Sequence, residues 1–432
     1  MAGKFNRGYK SVVVSSAVAV FLTLGFYPGG KSSVFADDGS QAKLLKKIEE
    51  LENRIKLLES KNAPNETGPA VTKSDVEAIV NEKVALAKED AGFKIPEILK
   101  DITLSGFVDT SYTYSFNHPD SGKTTGRVFD TEANSFNLQA AKIALEKLPA
   151  KTGGVGFRAD LLIGSDAKVI KPYGWNTDDV NLEQAYIDVL VPVGNGLDIK
   201  GGKFVTLAGA EVIESKDNWN FSRSLLFGYA IPFTHTGVRA SYPVFDTLTA
   251  YLGVNNGWDD IKDNNKGKTV ESALAWSPKD WLSFNLAGIY GPEESGNNHS
   301  NRALVDFVAT YQPFKKLTFK LNTDYAREQD LVSPGKAATW SGVAAYARYD
   351  INDKWSFSNR TEYFGDPDGV RVTSGTPADY WENTATLEYR PLKGLITRLE
   401  YRYDHATSDV YTVGSKAVDY QSTIGLEAIY AF

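Results

Sequence analysis

The chain has no cysteine, one methionine and four histidines in 432 residues. The first absence excludes disulfides, thiolate metal sites and a lipid anchor on an N-terminal cysteine. His118, His235, His299 and His405 are scattered, and only His235 falls in a strand-like stretch. A lipid-face hydrolase needs a serine beside its histidine, and His235-Thr236-Gly237 lacks one. Mean hydropathy is −0.30, too low for a bundle of membrane helices. The formal net charge of −7 comes without any basic cluster, so no nucleic-acid partner is expected. No glycine-rich phosphate loop precedes a helix. Asp259, Asp260 and Asp263 with Asn264 and Asn265 have a calcium-binding composition but not EF-hand spacing, and a solvated acidic loop is the plainer reading. Neither an enzyme nor a cofactor or resident metal is expected.

What the chain does have is aromatic residues, 22 Tyr, 22 Phe and 8 Trp, together with 37 Gly. That mixture suits a membrane β-barrel, which spends apolar side chains on one face and aromatics at both interfaces. The last ten residues, TIGLEAIYAF, make the point. Ile424, Leu426, Ala428, Tyr430 and Phe432 share one face of a strand, and Gly425, Glu427, Ile429 and Ala431 the other. Nothing follows this strand to cover its free edge, so it must pair with an earlier one, and closure into a barrel is the economical solution. The Tyr430 and Phe432 ending resembles the C-terminal signal read by the machinery that assembles bacterial outer-membrane barrels.

Residues 1–36 read as a secretory signal: Lys4, Arg7 and Lys10 precede an apolar core at 11–26, with small residues before Asp37. In residues 41–61, Leu44, Ile48, Leu51, Ile55 and Leu58 follow the 4,3,4,3 spacing of a coiled-coil seam. Ile at a with Leu at d favours two strands. Arg54 followed by Ile55, Leu58 and Glu59 resembles the motif of short trimeric coiled coils, and a trimer held by Ile48, Leu51, Arg54, Ile55, Leu58 and Glu59 is the reading adopted. Residues 62–100 comprise a Pro/Gly-containing linker and a second helix opened by the capping box Ser74-Asp75-Val76-Glu77. These helices are placed in the periplasm.

Residues 101–432 settle into strands joined by alternately short and long connections. Seven short connections centre on 148–151, 191–194, 242–245, 277–280, 312–315, 351–354 and 390–393, all but one carrying proline. Eight longer polar stretches lie at 117–134, 165–180, 205–233, 257–269, 291–301, 328–339, 365–378 and 405–418. These connections imply an antiparallel up-and-down transmembrane β-barrel of about sixteen strands, almost all-β, preceded by the coiled-coil helix. Strands such as Leu317, Phe319, Leu321, Thr323 and Tyr325 alternate with Thr318, Lys320, Asn322 and Asp324. Charges in that pattern must point into water, which predicts a wet lumen.

Ser105-Gly106-Phe107-Val108-Asp109, Leu182-Glu183-Gln184-Ala185-Tyr186, Gly201-Gly202-Lys203-Phe204 and His235-Thr236-Gly237-Val238-Arg239 resemble the beta-barrel porin-2 (OmpL-like) family over 101–432. The resemblance implies a bacterial outer-membrane porin that passes small hydrophilic solutes and ions by passive diffusion. Its implied partners are outer-membrane lipid, the assembly machinery, the solutes and two copies of itself. A plugged barrel acting as an envelope anchor or surface-interaction protein is the alternative, and a porin specific for anions or sugars a closer variant. The third long stretch is the candidate constriction. It carries Glu211, Glu214, Lys216, Asp217 and Arg223, with Trp219, Phe221, Leu225 and Leu226 able to tuck it against the wall. Arg158, Arg239, Arg348, Arg360, Arg398 and Arg402, with Glu362 and Glu400, are the candidate lumen residues. Opposed charges across a narrow passage would set a transverse field.

Overall fold

The computed structural model describes residues 101–432 apart from Thr152 and Ser374. The signal segment, the coiled-coil residues Ile48, Leu51, Arg54, Ile55, Leu58 and Glu59, and the second helix lie outside the described residues. The strands are β1 (Thr103–Ser115), β2 (Ser135–Lys147), β3 (Gly154–Ile163), β4 (Val180–Val191), β5 (Leu197–Val205), β6 (Thr234–Phe245), β7 (Leu248–Asn255), β8 (Thr269–Lys279) and β9 (Leu282–Pro292). They continue with β10 (Asn301–Phe314), β11 (Leu317–Ser333), β12 (Lys336–Asp350), β13 (Trp355–Asp366), β14 (Ala378–Tyr389) and β15 (Leu395–Ala406). A small hairpin, β16 (Tyr411–Val413) with β17 (Lys416–Val418), precedes the last strand, β18 (Tyr420–Ala431).

Sixteen of these strands form one closed antiparallel barrel in which β18 pairs with both β15 and β1. The seam is completed by Phe432, whose N–H donates to the Gly106 carbonyl at 3.0 Å and whose carbonyl accepts from the Gly106 N–H at 3.2 Å. Closure leaves no edge strand, as a hydrocarbon environment requires. Alternation follows the sequence pattern. Val108, Leu145, Leu252, Leu286, Val305, Leu399 and Leu426 are exposed on the outer face, while Asp109, Glu271, Asp306, Arg360, Glu400 and Glu427 are buried inside. Aromatic pairs ring both ends. Trp276–Phe284 and Trp355–Tyr389 stack at 5.5 and 4.2 Å at the short-turn end, and Tyr112–Phe136 and Tyr363–Trp381 pair at 4.7 and 5.5 Å at the other. These are the interfacial girdles that anchor a barrel in a bilayer.

Three prolines expected in turns lie inside strands. Pro243, Pro278 and Pro313 each occupy the end of β6, β8 or β10 where the ladder shifts register. A residue without an N–H is tolerated where the ladder skips a bond, and the two-residue turns follow. The sixth long stretch is no loop: β11 and β12 run on as a hairpin to Ser333–Lys336. Pro334 with Gly335 at φ 81° forms its turn, the Pro-Gly pairing a type II turn favours.

The seam is packed tightly at Gly106, where a Cβ would lie 2.4 Å from the Lys142 carbonyl and 2.7 Å from the Phe432 ring. At Gly201 a Cβ meets nothing within 4 Å. Gly106→Ala is therefore expected to lower the folded fraction, read as heat-modifiable migration on cold SDS gels, while Gly201→Ala folds at the parental level. Equal folding of the two variants would contradict this account of closure.

Candidate pore constriction

The third long loop, residues 206–233, cannot stay in water. Its return limb, Leu225-Leu226-Phe227-Gly228-Tyr229-Ala230-Ile231-Pro232-Phe233, is almost wholly apolar. Burying side chains of this size is worth about 1.5–3 kcal/mol each. The loop accordingly folds into the barrel, where Leu225, Leu226, Phe227, Ala230 and Ile231 are buried. They join a core with Phe129 of the first loop, Ile170 after helix α1 (Ser165–Val169), Trp340, Phe364, Tyr380 and Tyr411.

An inward loop brings backbone N–H and C=O groups into a dry interior, and each needs a partner. The wall supplies them as charges. Glu400 on β15 accepts the N–H groups of Phe221 and Ser222 at 2.7 and 2.9 Å. Glu362 on β13 accepts those of Leu225 and Leu226 at 2.7 and 2.6 Å. Arg402 donates to the Arg223 carbonyl at 2.6 Å. Arg398 donates to the carbonyls of Ser215 and Asn218 at 3.0 and 2.6 Å, and pairs with Glu388 and Glu427 at 2.9 and 2.7 Å. Arg360 reaches Glu382 at 2.5 Å, Glu211 and the Ser222 carbonyl at 2.7 Å, and the hydroxyls of Ser222 and Thr384 at 3.1 and 3.2 Å. Hydrogen bonds to charged groups contribute about 1.5–3 kcal/mol each.

These positions differ from the expected arrangement of facing charges across water. Arg360, Arg398 and Arg402 are buried against the loop itself, as are Glu362 and Glu400. Arg239 is buried and pairs with Glu271 at 2.8 Å, stacked 4.1 Å from the Phe204 ring. Within the loop, Glu211 bonds Arg360 and the Ser224 N–H, each at 2.7 Å. Arg223 bonds the Ile213 carbonyl at 2.5 Å and lies 4.6 Å from the Phe129 ring. Glu214 reaches β2, two strands along the wall from β18, where Lys142 holds it at 2.5 Å. Asp160 and Glu183 complete that group, each 2.9 Å from the Lys142 ammonium, which takes the place a metal ion would otherwise fill. Lys216 and Asp217 pair at 2.5 Å at the more exposed tip. Tyr430 faces outward at the seam beside Phe432.

The lumen is thus divided. In the long-loop half each of the sixteen strands offers an inward residue that is buried, among them Leu162, Phe204, His235, Leu304, Trp340 and Gln421. In the short-turn half, Glu146, Arg158, Lys200, Thr310, Lys320 and Arg348 remain partly exposed around a vestibule. Charges of both signs line it. Arg158 pairs with Asp160 and Glu146 at 2.9 and 3.3 Å, and Arg348 with Asp350 and Glu388 at 3.0 Å. Lys200 and Lys320 instead sit 4.9 and 4.4 Å from the Tyr186 and Trp219 rings. The wet lumen expected from the sequence is confined to this half. The sequence did not mark Lys142, Asp109 or Asn322 as loop partners, although Ser215 donates to Asp109 at 2.5 Å and the Ala210 N–H to Asn322 at 3.1 Å.

A sixteen-stranded barrel with short turns at one end and its third loop folded inside matches one family model. That model, the OmpL-like beta-barrel porin-2, spans residues 101–432. The chain belongs to this porin family. Its barrel fold is that of outer-membrane porins. An anion-selective porin from Comamonas acidovorans aligns with TM-score 0.56 and 13% identity, covering 77% of this chain and 99% of that one. The outer membrane channel DcaP of Acinetobacter baumannii aligns with TM-score 0.54 and 14% identity over 77% and 97%. OmpT of Vibrio cholerae in its trimer form aligns with TM-score 0.52 and 13% identity over 77% and 99%. A comparison with curated proteins finds no match. Family and fold place the barrel in the outer membrane, whose barrels turn their short connections to the periplasm.

Removing one member of a buried charge web leaves its partners unpaired, at about 3–5 kcal/mol. Arg360→Met is expected to lower stability by about that amount in denaturant titrations of the folded porin. It should also expose the peptide bond after Arg223 to trypsin, giving two fragments on denaturing gels. A variant as protease-resistant as the parent would contradict the clamp.

Proposed function

We propose that this porin is a narrow diffusion channel for ions and small hydrophilic solutes, assembled as a homotrimer, with the third loop as the barrier they pass. The observation that carries this reading is the ring of partly exposed charges in the periplasmic half, together with a cavity that joins Lys216 and Asp217 on the loop to Lys354, Arg390 and Lys393 at the short-turn rim. Such a chamber serves water and hydrated solutes and has no use in a purely mechanical barrel. Its mixed charge argues for weak ion selectivity. The coiled-coil residues at 41–61 would hold three chains in register in the periplasm, and a trimer form is named for the Vibrio neighbour. Transport rather than catalysis is the proposed role.

The burial of inward residues throughout the outer half favours a second reading, a closed barrel that anchors envelope layers through its N-terminal helices. Planar-bilayer recordings separate the two. The channel reading expects small steps closing in three equal sublevels, and larger steps from Glu362→Ala/Glu400→Ala, which frees four backbone N–H groups of the loop. Silence from both proteins, each shown to be folded and heat-modifiable, would contradict it and support the anchor.

A further inference from the structure

The acidic run in the fourth long loop (256–268) is not a single site. Asp259 accepts the N–H groups of Phe233 and Thr234, each at 2.8 Å. Asp263 pairs with Lys268. Asn264 donates to the Glu293 carbonyl and Asn265 to that of Pro292, each at 3.0 Å. Asp260 differs from all of these. It is 4% exposed, and its Oδ2 is buried without a hydrogen-bond partner.

That oxygen points at Glu293, the first residue of the fifth loop. Both carboxylates converge on Gly257, where a Cβ would stand 2.8 Å from Asp260 Oδ2 and 3.0 Å from Glu293 Oε2. Glu293 is fixed in place: its Oε2 accepts the Trp258 N–H and its Oε1 the Thr269 hydroxyl, each at 2.6 Å. The charge of Arg302 acts on both from a distance, but its guanidinium is committed to Glu328 at 2.8 Å and to the Trp258 ring at 4.7 Å. Two buried carboxylates side by side with no cation bonded to either are costly. Burial, and then each group's acidic surroundings, push Asp260 up to about 7, and burial pushes Glu293 up to about 7.

We propose that Asp260 and Glu293 bind a divalent cation, of which calcium fits best, and that this ion fastens the fourth loop to the fifth at the outer rim. Two hard oxygen ligands from separate loops, with water completing the shell, suit the variable coordination of calcium better than the strict octahedron of magnesium. The fourth loop is also joined to the second, since Tyr173 donates to the Asp259 carbonyl at 2.8 Å and accepts from the Ile261 N–H at 3.1 Å. Fixing Asp260 therefore steadies three loops at once. A site of two carboxylates belongs with extracellular modules, which bind calcium at about 10⁻⁴–10⁻³ M. This inference stands whether or not the barrel conducts.

The test uses the full-length, chelator-treated protein titrated with Tb³⁺, excited through neighbouring Trp258, then with Ca²⁺ as competitor. A saturable signal displaced by Ca²⁺ is expected. Asp260→Asn and Glu293→Gln should each weaken it by about tenfold or more. Asp263→Asn, whose carboxylate serves Lys268 and the Asn265 N–H rather than the proposed site, should leave it within about twofold. No saturable signal, or one that Asp260→Asn leaves unchanged, would overturn the proposal.

Discussion

A loop drawn into a dry interior must have every backbone group satisfied, and that requirement governs the inside of this barrel. The apolar return limb of the third loop supplies the reason to enter. Once inside, its N–H and C=O groups cannot be met by water, so Glu362, Glu400, Arg398 and Arg402 meet them. Those charges need neighbours of opposite sign, which is why Glu382, Glu388, Asp404 and Glu427 are buried beside them. The inner wall of β13–β15 and β18 is therefore a docking surface for the loop. Only the opposite, periplasmic half of the lumen is left to water.

The outside of the barrel answers to a different solvent. Hydrocarbon offers no hydrogen bonds, so the ladder must close on itself, and the bond pair between Gly106 and Phe432 completes that closure. Proline, which cannot donate, stands in the strands only at their ends: at bulges at the short-turn ends of β6, β8 and β10, and as the last residue of β9. Aromatic pairs mark where hydrocarbon gives way to water at each end. One alternating pattern thus serves two unlike environments, lipid outside and a packed polar web within.

The barrel was legible because period-two alternation and the sorting of short from long connections depend only on local sequence. Strand number and the outward face of β18 follow directly from them. The interior was only half legible. The position and length of the third loop, with residues such as Trp219 and Phe221 able to tuck it against the wall, made it a candidate constriction and no more. An arginine alternating with apolar residues must face inward, but sequence cannot say whether it finds water or a backbone carbonyl there. Arg158 and Arg348 found the vestibule, whereas Arg360, Arg398 and Arg402 found the loop, a distinction set by contacts some 140–180 residues apart in the chain. Likewise Asp260 looked like one member of a solvated acidic run. Its partner Glu293 lies in another loop, out of reach of any spacing rule.

The placement of the third loop can be tested directly because the chain has no cysteine of its own. Asn220 on the loop donates to the Thr386 hydroxyl on β14 at 2.7 Å. Asn220→Cys combined with Thr386→Cys, oxidised in intact outer membranes, should form an internal disulfide that shifts migration on denaturing gels. Failure to cross-link, with both cysteines open to a hydrophilic maleimide, would place the loop outside the lumen and contradict the account.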